Sequence, residues 1–127
     1  MKKIMVIDDD KEFLEELGEM LKLSGYDLVA ANDADVAIAV AKETNPVVIL
    51  LDLKMPKKSG FQLASELKYF SELEKVPIIA MSAFYKDDYK PLLNMCGIKR
   101  CLTKPFRPLD VIAEIEEALA EYEKVGD

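Results

Sequence analysis

Short apolar runs alternate along this chain with stretches in which apolar residues recur at helical spacing. Residues 4–7 (IMVI) read as a first strand. From Lys11 onward, Phe13, Leu14, Leu17, Met20 and Leu21 fall on one helical face, and Gly25 stands where such a helix ends. Residues 27–31 predict a second strand, less apolar and so suited to a sheet edge. Asn32 or Asp33 is placed to cap a helix of small residues over 34–43, which stops before Pro46. VVILL (47–51) is apolar at every position, the pattern of a strand buried on both faces of a parallel sheet. A loop with Pro56 and Gly60 leads to a helix carrying Phe61, Leu63, Ala64, Leu67 and Phe70, and PIIAM (77–81) is again a buried strand. The next helix is weakly written: Asp87-Asp88 can cap it, Pro91 fits only its first turn, and Gly97 ends it. Residues 99–103 make a short fifth strand. Pro108 opens a last helix, with Ile112, Ile115, Leu119 and Tyr122 as its apolar stripe and Glu114, Glu116, Glu117 and Glu121 in solvent.

Five strand-helix units without repeats or linkers predict an α/β fold, a parallel sheet with helices on both faces and right-handed crossovers. At 127 residues, half of them apolar, the chain fits one domain spanning 1–127. A net charge of −7 disfavours nucleic acid or an anionic membrane as partner and suits a cation or a basic protein surface. The chain has no histidine, which removes Ser-His and Cys-His nucleophiles and histidine-ligated zinc. Cys96 and Cys101 lack metal-ligand spacing and read as reduced thiols of a cytoplasmic protein. The opening MKKIMVI has a signal-like charge, but its apolar run stops at Asp8, too soon for a signal-peptide core.

In a sheet of this kind ligands bind beyond the carboxyl ends of the strands. Those positions hold Asp8 and Asp9, Asp52, Ser82 and Lys104. VIDDD (6–10) sets three acids where a buried strand surfaces, a repulsive arrangement unless a cation offsets it. Three carboxylates that converge with a hydroxyl and an ammonium describe a Mg²⁺ site with room for water and phosphate oxygens. No GxGxxG or GxxxxGK[ST] pattern is present, which disfavours a dinucleotide site or a P-loop.

The motifs VIDDD, LLDLKMPKKSG (50–60), MSA (81–83) and LTKPF (102–106) stand in order and spacing over nearly the whole chain. With them the sequence resembles the receiver domain of two-component response regulators, of the single-domain chemotaxis or phosphorelay type. The resemblance implies a flavodoxin-like doubly wound sheet in the order 2-1-3-4-5 with five helices in three layers. It implies that Asp52 accepts a phosphoryl group from the phosphohistidine of a histidine kinase or histidine phosphotransferase. Asp9 and Asp52 would bind Mg²⁺ (or Mn²⁺) directly, Asp8 through water, and the Lys54 backbone carbonyl would complete the protein ligands. Lys104 would neutralise phosphoryl charge, Ser82 would hydrogen-bond the phosphoryl group and draw in the following loop, and the Lys104–Pro105 peptide would be cis. Similar receivers have Lys54 and Phe84 beside the path of the attacking water, which implies slow self-dephosphorylation. Output would then pass to a downstream effector protein, by a monomer or a weak phosphorylation-dependent dimer, without nucleic acid or membrane. The chain as it stands is a stand-alone receiver or one excised from a longer regulator.

Each residue also has a plainer role. Asp9 and Glu12 have the spacing of a helix-capping pair, Asp10 of a surface residue or cap, and Met55, Met81 and Met95 of filler. An acid after five apolar residues, as at Asp52, is costly unless paired or ligated, while Ser82 and Lys104 taken singly are unremarkable. The sequence departs from the family at Cys101, three before Lys104, where an aromatic residue is usual. That departure turns attention to the Ser82 loop and Phe84-Tyr85 as the route of the signal. It also leaves open a pseudo-receiver that binds partners regardless of phosphate. Asp8-x-Asp10 superficially matches haloacid-dehalogenase-type phosphatases, but Glu12 stands where that family has Thr or Val.

Overall fold

The computed structural model describes residues 1–55, 57–83 and 89–126, with side chains described up to Tyr122. In chain order the elements are β1 (Lys2–Ile7), α1 (Lys11–Leu23), β2 (Tyr26–Ala31), α2 (Ala34–Thr44) and β3 (Val48–Asp52), followed by α3 (Gly60–Tyr69), β4 (Ile78–Ser82), α4 (Tyr89–Met95), β5 (Arg100–Thr103) and α5 (Pro108–Gly126). The strands form one parallel sheet in the order β2-β1-β3-β4-β5, so the weakly apolar β2 does lie at an edge.

Period-2 alternation sorts the strand residues between two cores. Met5, Ile7, Ile49, Leu51 and Ala80 face α2 and α3, packing on Ala37, Ala41, Leu63 and Leu67. Ile4, Val6, Leu50, Ile79 and Met81 face the other way, onto Leu17 and Leu21 of α1 and Val111, Ile112 and Ile115 of α5. The three central strands β1, β3 and β4 are thus covered on both sides, and each fully buried Leu or Ile contributes about 1.5–3 kcal/mol. The alanines of α2 let that helix lie close to the sheet.

Caps set where the helices begin. Asp10, not Asp9, caps α1: its carboxylate accepts from the Phe13 N–H at 3.2 Å. The expected Asp9–Glu12 pair does not form because the helix starts one residue later. Asp33 caps α2 and Ser59 caps α3, the latter accepting from the Gln62 N–H at 3.2 Å. The expected Asp87-Asp88 cap of α4 lies outside the described residues. Both β3 and β4 run one residue further than their apolar runs, ending on Asp52 and Ser82, which pair with Met81 and Thr103. Ladder hydrogen bonds join backbones, so a polar side chain does not end a strand.

Two surface expectations need correction. Tyr122 is 44% exposed rather than part of the α5 stripe, and Met95 is 83% exposed rather than filler. Glu117 and Glu121 keep the exposure expected of them, 67% and 62%, yet with the less exposed Glu114 they close on Arg100 of β5. Its guanidinium donates to Glu114 at 2.8 Å, Glu117 at 3.1 Å and Glu121 at 2.7 Å. Those hydrogen bonds, first to Glu114 and then to Glu121, raise the arginine's pKa further. Arg100→Met is expected to lower stability by about 1 kcal/mol, as the guanidinium fork tying β5 to α5 is lost. In urea titrations that deficit should shrink in about 1 M NaCl, where the screening length falls to ~3 Å. A deficit insensitive to salt would mean that packing, not charge, holds this contact.

Candidate functional site

Parallel strands bring their last residues to one edge, and there the structure collects the side chains that the sequence singles out. Carboxylate oxygens of Asp8, Asp9 and Asp52 lie within 4.8 Å of one another. Asp8 is fully buried, Asp52 is 8% exposed, and Asp9 opens to solvent. Lys104, in the turn after β5, reaches in from the side. Its Nζ donates to Asp8 Oδ2 at 3.2 Å and stands 3.6 Å from Asp52 Oδ2.

Backbone groups fix these side chains. Asp8 Oδ1 accepts the Asp10 N–H at 3.0 Å, and Asp52 Oδ1 accepts the Lys54 N–H at 2.9 Å. Ser82, 7% exposed, sits beside them, and its carbonyl accepts the Lys104 N–H at 2.7 Å. The Lys104–Pro105 peptide is cis.

Burial is the main force on the Asp52 carboxyl and pushes its pKa up, with Asp8 and Asp9 adding to the rise. The Lys54 N–H and the Lys104 ammonium oppose it without cancelling it. Burial would lower Lys104, but Asp8 and Asp52 outweigh it and hold the ammonium above its ordinary value. Among the described residues the cluster is therefore short of positive charge, with the Lys104 ammonium against two of its three acids. Three oxygen ligand groups so spaced, one of them open to solvent, fit a small hard divalent cation that keeps several waters.

Two supports escaped the pattern of apolar and charged positions. Phe13 of α1 meets Phe106 edge to face at 5.6 Å, and the Lys104 ammonium lies 5.5 Å from the centre of the Phe13 ring. At Gly60, a Cβ would stand 2.6 Å from Leu53 Cα and 2.8 Å from the Asp52 carbonyl oxygen. The first turn of α3 thus rests directly on the backbone that carries Asp52. Ring partners distant in sequence leave no local signal, whereas a glycine opening a helix is a readable one.

Cys101 is half-buried, its thiol raised in pKa by burial, and both cysteines are free. Beside it a cavity of about 200 Å³ is lined by Lys90, Leu93, Asn94, Ile98, Lys99 and Thr103. Phe84 and Tyr85, expected to carry the signal or shield the site, lie outside the described residues.

A 2-1-3-4-5 parallel sheet with five helices, its carboxyl edge gathering an acid cluster, a serine and a lysine, is the CheY-like flavodoxin fold of a receiver domain. The chain belongs to the response regulator receiver domain family, whose model matches residues 4–116. It is 32% identical over 118 residues to the phosphate regulon transcriptional regulatory protein PhoB of Pseudomonas aeruginosa, covering 93% of this chain and 52% of that protein. It is also 32% identical over 122 residues to the alkaline phosphatase synthesis transcriptional regulatory protein PhoP of Bacillus subtilis, covering 96% and 50%. The chain spans about half the length of these curated relatives. Among solved structures, chemotaxis protein CheY4 of Vibrio cholerae superposes with a TM-score of 0.89 at 25% identity, over 94% of this chain and 99% of that one. A CheY-like receiver of Methanospirillum hungatei shares the fold with a TM-score of 0.89 at 24% identity, over 98% of each chain. No helix among the described residues is long and apolar enough to cross a membrane.

Proposed function

We propose that this receiver is a phosphoacceptor switch with Asp52 as nucleophile. The observation that carries the reading is the placement of the Asp52 carboxylate beside both Asp8 and Asp9 and the Lys104 ammonium, 3.6 Å away. An Asp52 oxygen attacks the phosphorus of a phosphohistidine on a histidine kinase or histidine phosphotransferase. The P–N bond breaks, and the imidazole leaves with its electron pair and takes up a proton. Asp8, Asp9, Asp52 and the Lys54 carbonyl would hold Mg²⁺, which supplies charge neutralisation at the phosphoryl oxygens. The Lys54 N–H orients the acceptor carboxylate, Lys104 screens charge from the side, and Ser82 receives the phosphoryl group by hydrogen bond.

Self-phosphorylation and slow self-hydrolysis are its only chemistry. The altered surface around Ser82 then changes binding to an effector protein. An acidic chain with free thiols supports a cytoplasmic setting. Cys101 in the aromatic position favours one rival reading, a pseudo-receiver that binds without phosphate.

Intact-mass measurement after incubation with Mg²⁺ and acetyl phosphate separates the two. One acid-stable, base-labile phosphoryl group, absent in Asp52→Asn, is the expected result. No mass gain together with no Mg²⁺ binding would overturn the switch and leave the pseudo-receiver.

A further inference from the structure

The opposite edge of the sheet carries a feature that the phosphoacceptor chemistry does not use. A groove of about 880 Å³ opens at the amino ends of β4 and β5, between the end of α3, the turn after α4, and α5. Ile78 and Ala118 form its buried floor, while Tyr69, Met95 and Tyr122 at its margin are 84%, 83% and 44% exposed. Large apolar side chains left this bare are costly to solvate, and Tyr and Met are enriched at protein interfaces.

The charge of the groove runs against that of the molecule. Among the described residues, Lys68, Lys75, Lys99 and Arg100 line it against Glu74 and Glu121, in a chain of net charge −7. Arg100 is already taken up by Glu114, Glu117 and Glu121, which leaves the three lysines as the groove's unoffset cations. Lys75 and Lys99 are exposed and form no ion pair among the described residues. Lys68 donates to the carbonyls of Glu74 at 3.0 Å and Val76 at 2.8 Å, with its carbon stem against Gly97. Burial, and after it the neighbouring Lys99, pushes the Lys68 ammonium down. Cations gathered without enough carboxylates to offset them attract an anion.

We propose that this groove docks an acidic segment of a partner protein, one that carries aromatic or aliphatic anchors between its carboxylates. The anchors would sit between Tyr69, Met95 and Tyr122, and the carboxylates would reach Lys75 and Lys99. Tyr69 and Met95 stand almost wholly outside the surface, a margin that grips a chain laid across it better than it encloses a small molecule. The groove lies across the sheet from Asp52, so occupancy does not compete with a kinase at the acid edge. The docking site stands whether or not Asp52 takes phosphate.

A phage-displayed library of short random peptides, selected on the whole chain, tests this without knowledge of the partner. Recovered peptides should be acidic with at least one aromatic or large aliphatic residue. As free fluorescent peptides they should lose about tenfold or more in affinity for a Lys75→Glu/Lys99→Glu variant, and several-fold for Met95→Ala. All three positions are exposed, and thermal unfolding checks that the variants fold like the parent. Neutral or basic hits, no enrichment, or affinity unchanged by the charge reversals would overturn the proposal. So would two reassignments: displacement of the peptides by micromolar ATP would make it a small-anion site. Self-association by light scattering, abolished by the same reversals, would make it a contact between copies of this chain.

Discussion

Gly60→Ala should cost about 2–3 kcal/mol of stability and slow phosphorylation of Asp52 by about a hundredfold, although no charged group changes. The added methyl would fall 2.6 Å from Leu53 Cα and 2.8 Å from the Asp52 carbonyl oxygen. Both are backbone atoms, so no side chain can swing aside. The same contact is tied by the Gly60 N–H donating to the Leu53 carbonyl at 3.0 Å. Relief requires α3 to lift from the end of β3, and that movement carries the acceptor carboxylate with it. Gly18→Ala makes the opposite case from the same chemistry. There a Cβ meets only Leu28 side-chain atoms, 3.8 Å away at the nearest, inside α1. That variant should gain about 0.5–1 kcal/mol from helix propensity and leave phosphorylation unchanged. Urea denaturation and the rate of mass gain with acetyl phosphate read both quantities. If Gly60→Ala cost no more than a few tenths of a kcal/mol, α3 would not be seated on the acceptor backbone as described.

Lys104→Met should act on both stability and chemistry, and the two effects should separate with pH. Without the ammonium, the buried Asp8 and Asp52 lose the cation that stands 3.2 and 3.6 Å away. Breaking a buried pair costs about 3–5 kcal/mol, but Lys104 is 28% exposed and Asp52 can take up a proton, so about 1–3 kcal/mol at pH 8 without metal is expected. The pKa of Asp52 is raised in the folded state, so its charge opposes folding above that value. As pH falls through the raised value towards the ordinary 3.8, the folded chain takes up its proton first and stability returns. The Lys104 contribution has the reverse sense. It is complete below the ordinary 10.5 and fades only as pH rises through the higher folded value. The deficit of Lys104→Met should therefore narrow from pH 8 to pH 5, and Asp52→Asn placed in the same chain should remove much of it. Phosphorylation should fall by about 10²–10³-fold at saturating Mg²⁺, the usual consequence of deleting one preorganised charge partner. A deficit equal at both pH values and unrelieved by Asp52→Asn would assign Lys104 a packing role only.

Most of the fold is legible in the sequence for local reasons. Uniformly apolar runs such as VVILL can be buried only in a sheet covered on both faces, and β3 is so covered. The capping acids Asp10 and Asp33 sit beside helical stripes and mark their beginnings, though the pattern alone left Asp9 and Asn32 as rivals. The acid cluster was legible too, because side chains at the ends of parallel strands must share an edge. Where local reading fell short, the deciding partner was remote. Arg100 and the glutamates of α5 are separated by 14 to 21 positions, so the clasp between them looks like solvated charge in sequence. Tyr122 and Met95 read as core from their spacing or apolarity, yet the helices turn them to the surface.

The sequence by itself determined the elements, their alternation and the chemistry available at the strand ends. Hydrophobic period and residue type act over a few residues and need no partner to be read. Only the tertiary structure decided the spacing of that chemistry. It brought three carboxylates within 4.8 Å, set Lys104 against two of them, and seated Gly60 on the acceptor backbone. Distances of that kind depend on how helices and strands pack against one another, and contacts between segments far apart in the chain leave no periodic trace in it.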